Sequence, residues 1–333
     1  MNDIENLKGR SLLRLEDLSD EALIGLIDLA AEFKRRKRLG IRGDALRHKS
    51  VALIFEKSST RTRCAFTVAA ADEGGRAEYL DVLDIHFGRK ESIADSARVL
   101  GRMFDGIAFR GFHQKTVEQL ATHSGVPVWN ALTDECHPTQ ILADLLTIRE
   151  FFGRLKGLKV VYVGDGRNNV ANSLMIGCAK AGMHFVNCAP RELAPTTDLC
   201  RRASEMAAAR GGSVAVIHDP AAAVKGANAV YTDVWVSMGE EAKFQERLAF
   251  LRPYQINREL MQATGNVEAG QVIFLHCLPA LHDNNTEVTR DIGPMEVTDD
   301  VFEAPFSKVF DEAENRVHTI KAVMVATLGG VVS

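Results

Sequence analysis

The sequence predicts an α/β protein with two domains, each a mostly parallel sheet flanked by helices. Its 333 residues correspond to about two domains of roughly 150 residues each. Short β-branched runs alternate with longer helical patterns along the chain. Such repeated alternation is typical of parallel sheets that are covered by helices on both faces.

Eight short apolar runs predict the strands. They lie at residues 51–55, 106–109, 126–129, 159–163, 184–187, 213–217, 229–231 and 272–275. A helix is predicted at 19–34, because Ser19 is a favourable N-cap and acidic residues follow it in the first turn. Another at 61–73 ends at Gly74 and Gly75, and Pro138 suits the first turn of a third, at about 138–155.

The domain boundary is expected inside helix 138–155, because a new strand–turn–helix series begins at Lys159. We therefore expect a first domain at 1–150 and a second at 151–310. The final helix, 311–333, would return to the first domain. Small-molecule sites often form between domains, so the active site is expected in the cleft between the two.

The composition excludes several classes of protein. The 40 Lys and Arg against 44 Asp and Glu give a net charge of −4, which argues against coating nucleic acid or an anionic membrane. The N-terminus does not resemble a signal peptide, and no run approaches the roughly 18 apolar residues of a membrane span. We expect a cytoplasmic protein.

The six cysteines predict neither a zinc site nor a disulfide framework, because they are scattered without a C-x-x-C pair. We expect most of them to be reduced and buried. They are Cys64, Cys136, Cys178, Cys188, Cys200 and Cys277.

Ligands of parallel sheets bind outside the carboxyl ends of the strands, so the residues that follow each strand are the candidate site. The first strand is followed by the segment 56–63, which contains Lys57, Arg61 and Arg63. Hydroxyls and guanidinium groups at a helix N-terminus suit a phosphate or a carboxylate. The segment therefore favours an anion site over an ordinary cap with solvated arginines. Arg110 follows the second strand, and His137 and Gln140 lie where the helix at 138–155 begins.

The second half contains three further polar strand ends. The segment 164–169 resembles a dinucleotide fingerprint, but Asn169 stands where the third glycine would be. We interpret it as a tight turn that presents an amide. Asp233, followed by Ser237-Met238-Gly239, suits the capture of an ammonium group. Cys277 has no sequence-local base, so a nucleophilic role is not favoured over a structural one.

At these residues the chain resembles the carbamoyltransferase family, over essentially its full length. Ser59-Thr60-Arg61-Thr62 is similar to the family's carbamoyl-phosphate motif and His137-Pro138-Thr139-Gln140 to its His-Pro-x-Gln motif. Asp233 with Ser237-Met238-Gly239, and His276-Cys277-Leu278-Pro279, are similar to the motifs of the ornithine branch. The family's fold agrees with the predicted fold class.

The resemblance implies a role for each matching residue. The phosphate would be held by Ser59, Thr60, Arg61, Thr62 and Arg110, and the carbonyl oxygen would be surrounded by Thr62, Arg110 and His137. The carbamoyl NH₂ would donate to Gln140 and to the backbone carbonyls of Cys277 and Leu278. Asn169 and the Met238 amide would bind the ornithine carboxylate, and Asp233 and Ser237 its α-ammonium. Arg316 matches an active-site arginine on the final helix. The catalytic residues implied are Thr62, Arg110, His137 and Cys277.

One loop departs from the family pattern. His86 stands where the family usually has a Gln that reaches the phosphate of a neighbouring subunit, and Arg89 stands where it usually has a His. A protonated His86 would donate to phosphate and make binding depend more strongly on pH. The alternative is that this loop varies without consequence.

The resemblance implies transfer of a carbamoyl group from carbamoyl phosphate to ornithine, in arginine metabolism or biosynthesis. It further implies a homotrimer whose active site is completed by a neighbouring subunit, with no metal, organic cofactor, nucleic acid or membrane partner. The alternatives are a carbamoyltransferase for putrescine or an acylated ornithine, a non-catalytic relative that binds a phosphate ligand, and a nucleotide-dependent oxidoreductase. The same residues serve both directions of the reaction, so the direction is left open.

Overall fold

The computed structural model describes residues 2–82, 85, 87–88, 90–236 and 244–329. Contacts between residues divide the chain into two compact units. The first comprises Met1–Leu146 with Glu314–Ser333, and the second comprises Thr147–Ala313. None of the helices in the described ranges is long and apolar enough to cross a bilayer.

The first unit contains a four-stranded parallel sheet in the order β2-β1-β3-β4. Its strands are β1 Ser50–Phe55, β2 Arg76–Asp81, β3 Gly106–Arg110 and β4 Val128–Leu132. The helices from the N-terminus onward are α1 Asn2–Glu5, α2 Asp20–Arg38, α3 Thr60–Asp72, α4 Ile93–Met103, α5 Gln114–Ser124 and α6 Pro138–Phe152. The division between the units falls within α6.

The second unit contains a five-stranded parallel sheet in the order β7-β6-β5-β8-β9. Its strands are β5 Lys159–Val163, β6 His184–Cys188, β7 Ser213–Ile217, β8 Ala229–Thr232 and β9 Ile273–His276. The remaining helices are α7 Asn169–Lys180, α8 Thr197–Ala208, α9 Pro220–Val224, α10 Phe244–Leu251, α11 Arg258–Gln262, α12 Asp299–Phe302 and α13 Val309–Leu328. Two parallel sheets flanked by helices confirm the predicted fold class.

The central strands are buried because both faces of each sheet are covered. β1 and β3 are almost wholly buried, which explains their continuous apolar sequences. β2 is an edge strand with the polar sequence RAEYLD and a half-exposed surface, and the apolar pattern did not predict it. The strand predicted at 126–129 is wrong by two to three residues, since β4 begins only after Pro127, which has no N–H for a sheet ladder.

Local capping determines where two helices begin. The Ser19 side chain accepts a hydrogen bond of 3.0 Å from the Ala22 amide at the start of α2. The Ser59 side chain accepts one of 3.3 Å from the Thr62 amide at the start of α3. Both helices therefore start one residue after a Ser N-cap, and the N-terminus of α3 is fixed at the carboxyl end of β1.

Candidate active site

The first cluster of candidate residues lies at the carboxyl ends of the strands in the first unit. Arg110 is the last residue of β3 and is 8% exposed. Thr62 in the first turn of α3 is 1% exposed, whereas Thr60 is exposed and Ser59 and Arg61 are half-buried. The parallel register of β1 and β3 pairs Phe55 with Arg110, so the two strand ends are adjacent.

Arg316 on α13 connects the two motifs of this unit. Its Nη1 donates to Gln140 Oε1 at 2.6 Å, and its Nη2 donates to Thr62 Oγ1 at 3.1 Å. Gln140 in turn donates through Nε2 to Asp144 Oδ1 at 2.8 Å. The two hydrogen bonds of Arg316 reach Gln140, 176 positions away in the chain, and Thr62, 254 positions away. The side chains of all four residues in this network, including Asp144, are buried.

His137 is held as a neutral imidazole. Burial, reinforced by the positive charges of Arg316 and Arg110, lowers its pKa well below the ordinary value of 6.5. At neutral pH the ring therefore has one N–H donor and one acceptor nitrogen. Its Nδ1 lies 3.4 Å from Thr139 Oγ1. A buried neutral donor beside two arginines can stabilise a developing oxyanion while the arginines supply the positive charge.

Two of the cations expected near an anion site are engaged elsewhere. Lys57 is buried, with Nζ 2.6 Å from Asp134 Oδ1 and 4.3 Å from the centre of the Phe112 ring. Arg63 is exposed and its guanidinium lies 3.9 Å from the centre of the Tyr79 ring. Lys57 and Arg63 thus have partners of their own, and the anion site expected at residues 56–63 stays a prediction. Their charges are directed to Asp134 and to the ring of Tyr79 on β2.

The second cluster lies at the carboxyl ends of β8 and β9 and centres on Asp233. This carboxylate is 6% exposed and accepts three hydrogen bonds. Its Oδ1 accepts from the Val234 amide at 2.8 Å and from the Cys277 thiol at 3.0 Å, and its Oδ2 accepts from Asn168 Nδ2 at 2.9 Å. An ionised carboxylate has about four acceptor positions, so Asp233 retains capacity for a cationic ligand.

Asn168 was not predicted as a site residue, although its neighbour Asn169 was. The Asn168 side chain caps α7 by accepting from the Val170 amide at 2.7 Å, while its NH₂ group holds Asp233. Asn169 is the first residue of α7 and is half-buried. The N-cap position of Asn168 was the signal that could have identified it, because a capping Asn has a free amide NH₂ to orient a neighbour.

The backbone of Cys277 and Leu278 is fixed by the buried His276. The Leu278 amide donates to His276 Nδ1 at 2.9 Å, so the ring proton lies on Nε2, which faces Glu296 Oε1 at 3.2 Å. Leu278 has a φ of +57°, a conformation that is uncommon for a residue other than glycine. The His276 amide donates to Glu312 at 3.0 Å. The backbone amides of His276 and Leu278 are therefore held in place by side chains of the second unit.

The described residues contain two groups of potential metal ligands. The first is Asp233, His276 and Cys277, whose ligand atoms lie within 4.8 Å of one another. These atoms already have hydrogen-bond partners, since His276 Nδ1 accepts from Leu278 and the Cys277 thiol donates to Asp233. The second group is His282, Asp283 and Asp299, where His282 Nδ1 lies 2.7 Å from the exposed Asp299. In each group, two of the potential ligands are thus already in contact with each other.

Four residues singled out by the sequence lie outside the described part of the chain. They are His86 and Arg89 of the first unit and Ser237 and Met238 of the second, and Gly239, the last residue of the Ser237-Met238-Gly239 motif, lies outside it as well.

Family models match both halves of the chain. Residues 10–150 match "Aspartate/ornithine carbamoyltransferase, carbamoyl-P binding domain". Residues 156–327 match "Aspartate/ornithine carbamoyltransferase, Asp/Orn binding domain".

Curated relatives and solved structures agree with these matches. A protein of Bacillus licheniformis named "Ornithine carbamoyltransferase, catabolic" is 57% identical over 99% of both chains. A protein of Streptococcus equi subsp. equi named "Ornithine carbamoyltransferase" is 55% identical over 97% of this chain and 96% of its own. The structure of ornithine carbamoyltransferase from Pyrococcus furiosus is similar with a TM-score of 0.89 and 44% identity, over 98% of this chain and 99% of that one.

Proposed function

The chain belongs to the ornithine carbamoyltransferases of the aspartate/ornithine carbamoyltransferase family, and on this premise we propose how its residues carry the reaction. The reaction moves the carbamoyl group of carbamoyl phosphate to the δ-amine of L-ornithine and gives L-citrulline and phosphate. The observation that carries the proposal is the pair of hydrogen bonds from Arg316 to Gln140 and Thr62. They join both motifs of the first unit to the final helix.

Carbamoyl phosphate is assigned to the first unit. Ser59, Thr60, Arg61 and Arg110 bind the phosphate, which suits the N-terminus of α3 and the guanidinium groups. Thr62, Arg110 and His137 donate to the carbonyl oxygen. The carbamoyl NH₂ donates to Gln140 Oε1, which has a second lone pair besides the one that accepts from Arg316. His86 of a neighbouring subunit completes the phosphate site.

Ornithine is assigned to the second unit. Asp233 and Ser237 bind its α-ammonium group, and Asn169 and the Met238 amide bind its carboxylate. The thiol of Cys277 donates to Asp233, which favours a role in orienting this carboxylate over a role as a nucleophile. The backbone carbonyls of Cys277 and Leu278 accept from the carbamoyl NH₂. The acceptor is thus an amino acid, because putrescine has no carboxylate for the Asn169 site.

The chemical step is an addition followed by an elimination. The neutral δ-amine attacks the carbamoyl carbon, a C–N bond forms, and the oxyanion that develops is stabilised by Arg110, His137 and Thr62. The C–O bond to phosphate then breaks, and phosphate leaves with a proton taken from the attacking amine. Deprotonating an amine of pKa near 10.4 at pH 7.4 costs roughly 4 kcal/mol, part of which desolvation on binding would meet. A profile of kcat/KM for ornithine that stays flat from about pH 6 to 9 would contradict this step.

The direction in the cell is proposed to be catabolic. Five relatives that are 54% to 57% identical to this chain support this direction, because their names include the word catabolic. They come from Bacillus and Staphylococcus. Deleting the gene should then abolish growth that depends on arginine degradation without creating a requirement for arginine. An arginine requirement would indicate the biosynthetic direction instead.

A cytoplasmic homotrimer is proposed as the working assembly. If a neighbouring subunit completes each site, mixed oligomers of inactive Arg110→Ala and His86→Ala subunits should recover activity, because some sites then receive both native residues. Activity that stays at the level of the two parents would contradict a shared site. Light scattering gives the mass of the assembly independently.

The substrate assignment is tested by measuring carbamoyl transfer to three amines in parallel. Purified protein is supplied with carbamoyl phosphate and with ornithine, putrescine or N-acetylornithine, and the ureido product and phosphate are both quantified. We expect turnover with ornithine and a loss of at least about 100-fold with the other two, because each lacks a charged group that the site binds. Phosphate release without a ureido product, or no turnover at all, would contradict the proposal.

A further inference from the structure

Glu296 is a buried acidic residue of the second unit to which the proposed reaction assigns no role. It lies in the segment before α12 and is 0% exposed. Among the residues that the structure describes, no lysine or arginine is paired with it, and its Oε2 atom has no hydrogen-bond partner. Burying a carboxyl group without a cation is costly, so stability alone does not account for this residue.

One oxygen of Glu296 faces two donors of the segment that follows β9. Glu296 Oε1 lies 3.2 Å from His276 Nε2 and accepts from the Leu281 amide at 2.6 Å. The His276 ring in turn accepts from the Leu278 amide through Nδ1 at 2.9 Å. Glu296 therefore holds the segment 278–281 at both ends, directly at Leu281 and through the imidazole ring at Leu278.

The backbone that carries Glu296 is itself held in place. The Ile256 amide donates to the Glu296 carbonyl at 2.9 Å, and the Thr298 amide donates to the Ile256 carbonyl at 3.0 Å. The Met295 amide donates to the Leu281 carbonyl at 2.7 Å, so the two segments are joined in both directions. A side chain on such a paired backbone can fix the position of a neighbouring loop.

The hydrogen bond to the Leu278 amide also sets the direction of the Cys277 carbonyl. The peptide between these two residues is planar and trans, so its C=O points away from its N–H. Because the N–H faces the buried His276 ring, the C=O is directed away from that ring. The Leu278 carbonyl comes next, and Pro279 after it has no N–H that could be anchored. Its position therefore depends on the anchored amides on either side and on the φ of +57° at Leu278.

We propose that Glu296 is a positioning residue that makes the site select a carbamoyl phosphate over an acyl phosphate. This role rests on the proposed function, in which the carbonyls of Cys277 and Leu278 accept from the carbamoyl NH₂. An acyl phosphate carries a carbon group in place of that NH₂ and cannot donate to them. A site built to hydrogen-bond one substrate group rejects an analogue without it, because the acceptors are then left unpaired. Glu296 itself acts only through His276 and Leu281.

The test compares two unreactive analogues that differ in one group. Phosphonoacetamide has an NH₂ beside its carbonyl, and acetonylphosphonate has a CH₃ there. Isothermal titration calorimetry gives the affinity of the whole protein for each. We expect the native protein to bind the amide about tenfold or more tightly than the ketone, since the ketone leaves both acceptors unpaired. In the Glu296→Ala variant this ratio should fall to within about threefold, because the amide loses its aligned acceptors.

Steady-state kinetics gives a second readout of the same variant. In Glu296→Ala the kcat for citrulline synthesis should fall by about tenfold or more, because the carbamoyl group is oriented less well for attack. The KM for ornithine should change by less than about threefold, since neither contact of Glu296 is assigned to ornithine.

The conservative variant Glu296→Gln separates the position of the acceptor from the charge. Its side-chain oxygen can still accept from His276 and Leu281, as Oε1 does. Its NH₂ group can occupy the place of Oε2, which meets no hydrogen-bond partner within the described ranges. We expect this variant to keep the native ratio of affinities.

A matched control separates positioning from a general loss of stability. Thr264 is a buried residue of the same unit, and its side chain donates to the Met261 carbonyl and accepts from the Asn266 amide. Thr264→Ala removes both hydrogen bonds without touching the segment 278–281. This variant should unfold at a lower temperature and keep the native ratio of affinities.

The proposal is overturned if Glu296→Ala keeps the native ratio, or if Glu296→Gln loses it as fully as the alanine variant does. A native protein that makes citrulline but binds both analogues equally also overturns it. Absence of citrulline synthesis in the native protein would instead contradict the proposed function. Should Glu296→Ala fail to fold, as judged by circular dichroism, Glu296→Met removes the acceptor while filling the space, and the same outcomes decide.

Discussion

The two candidate clusters have opposite charge, although each lies at the carboxyl end of a parallel sheet. In the first unit Arg110 and Arg316 surround a histidine that is held neutral. In the second unit one carboxylate, Asp233, receives three donors. The same architecture therefore presents cationic donors in one unit and an anionic acceptor in the other.

This difference shows how one type of fold can bind two unlike substrates. Strand ends and helix N-termini supply backbone donors in both sheets, but the side chains at those ends set the sign of the charge. In the proposed function, the first unit binds a dianionic phosphate and the second binds an ammonium group. A substitution in one cluster should therefore affect the substrate of that unit more than the substrate of the other unit.

The largest effect is expected from Arg316→Gln. The substitution removes a buried positive charge and the donors to Gln140 and Thr62, so kcat/KM for carbamoyl phosphate should fall by about 10³-fold. Steady-state kinetics with both substrates measures this. Arg98→Gln, which alters an exposed arginine in the same unit, is the control. A change within about threefold would show that Arg316 is not part of the active site, and it would weaken the contrast in charge between the two clusters.

A smaller effect is expected from Asp233→Asn. The substitution removes the negative charge, and its new NH₂ group faces another donor, either Asn168 Nδ2 or the Cys277 thiol. Together these changes should lower kcat/KM for ornithine about 10²-fold. The KM for carbamoyl phosphate should change by less than about threefold. Asp198→Asn, an exposed acid in the same unit, is the control. An effect mainly on carbamoyl phosphate would reverse the assignment of the two units.

The first unit should lose stability in acid. The first unit contains His318, whose pKa burial lowers from 6.5 to about 4, with Lys321 and Lys34 adding to the shift. The unfolded chain therefore binds a proton near pH 6.5 that the folded protein accepts only near pH 4. Stability should fall as pH drops through that window, by up to about 3 kcal/mol from this residue. The lowered pKa of His137 should also reduce stability as the pH drops.

Thermal unfolding of the native protein and of His318→Gln between pH 7.5 and 4.5 measures this dependence. The midpoint should fall less steeply with acid in the variant. Equal slopes in the native protein and in the variant would show that His318 does not contribute.

The smallest effect is expected from Asp134→Asn, which removes the partner of Lys57. Asp134 is 52% exposed and is not itself assigned to either substrate, so the KM for carbamoyl phosphate should change by less than about threefold. A marked decrease in that KM would show that Asp134 competes with the substrate for Lys57. Lys57 would then belong to the cationic cluster after all.

Residues whose environment is local could be placed from the sequence. Ser19 caps its helix as the short-range pattern predicts, and seven of the eight predicted strands lie within a residue of the observed ones. β2 could not be predicted, because its own sequence, RAEYLD, is polar and half-exposed and carries no apolar pattern. The partners of Lys57 and Arg63 could not be predicted, because Asp134 and Tyr79 lie on elements that only the fold brings near.

The sequence by itself determined the class of fold, the order of most elements and the motifs that mark the family, because alternation, capping and motif spacing are properties of neighbouring residues. The tertiary structure alone decided which side chains meet. Arg316 reaches Thr62 across 254 positions, and Asn168 reaches Asp233 across 65. These contacts also set the charge states, since burial beside two arginines keeps His137 neutral. A pKa depends on desolvation and on charges within a few ångströms, which a linear sequence does not contain.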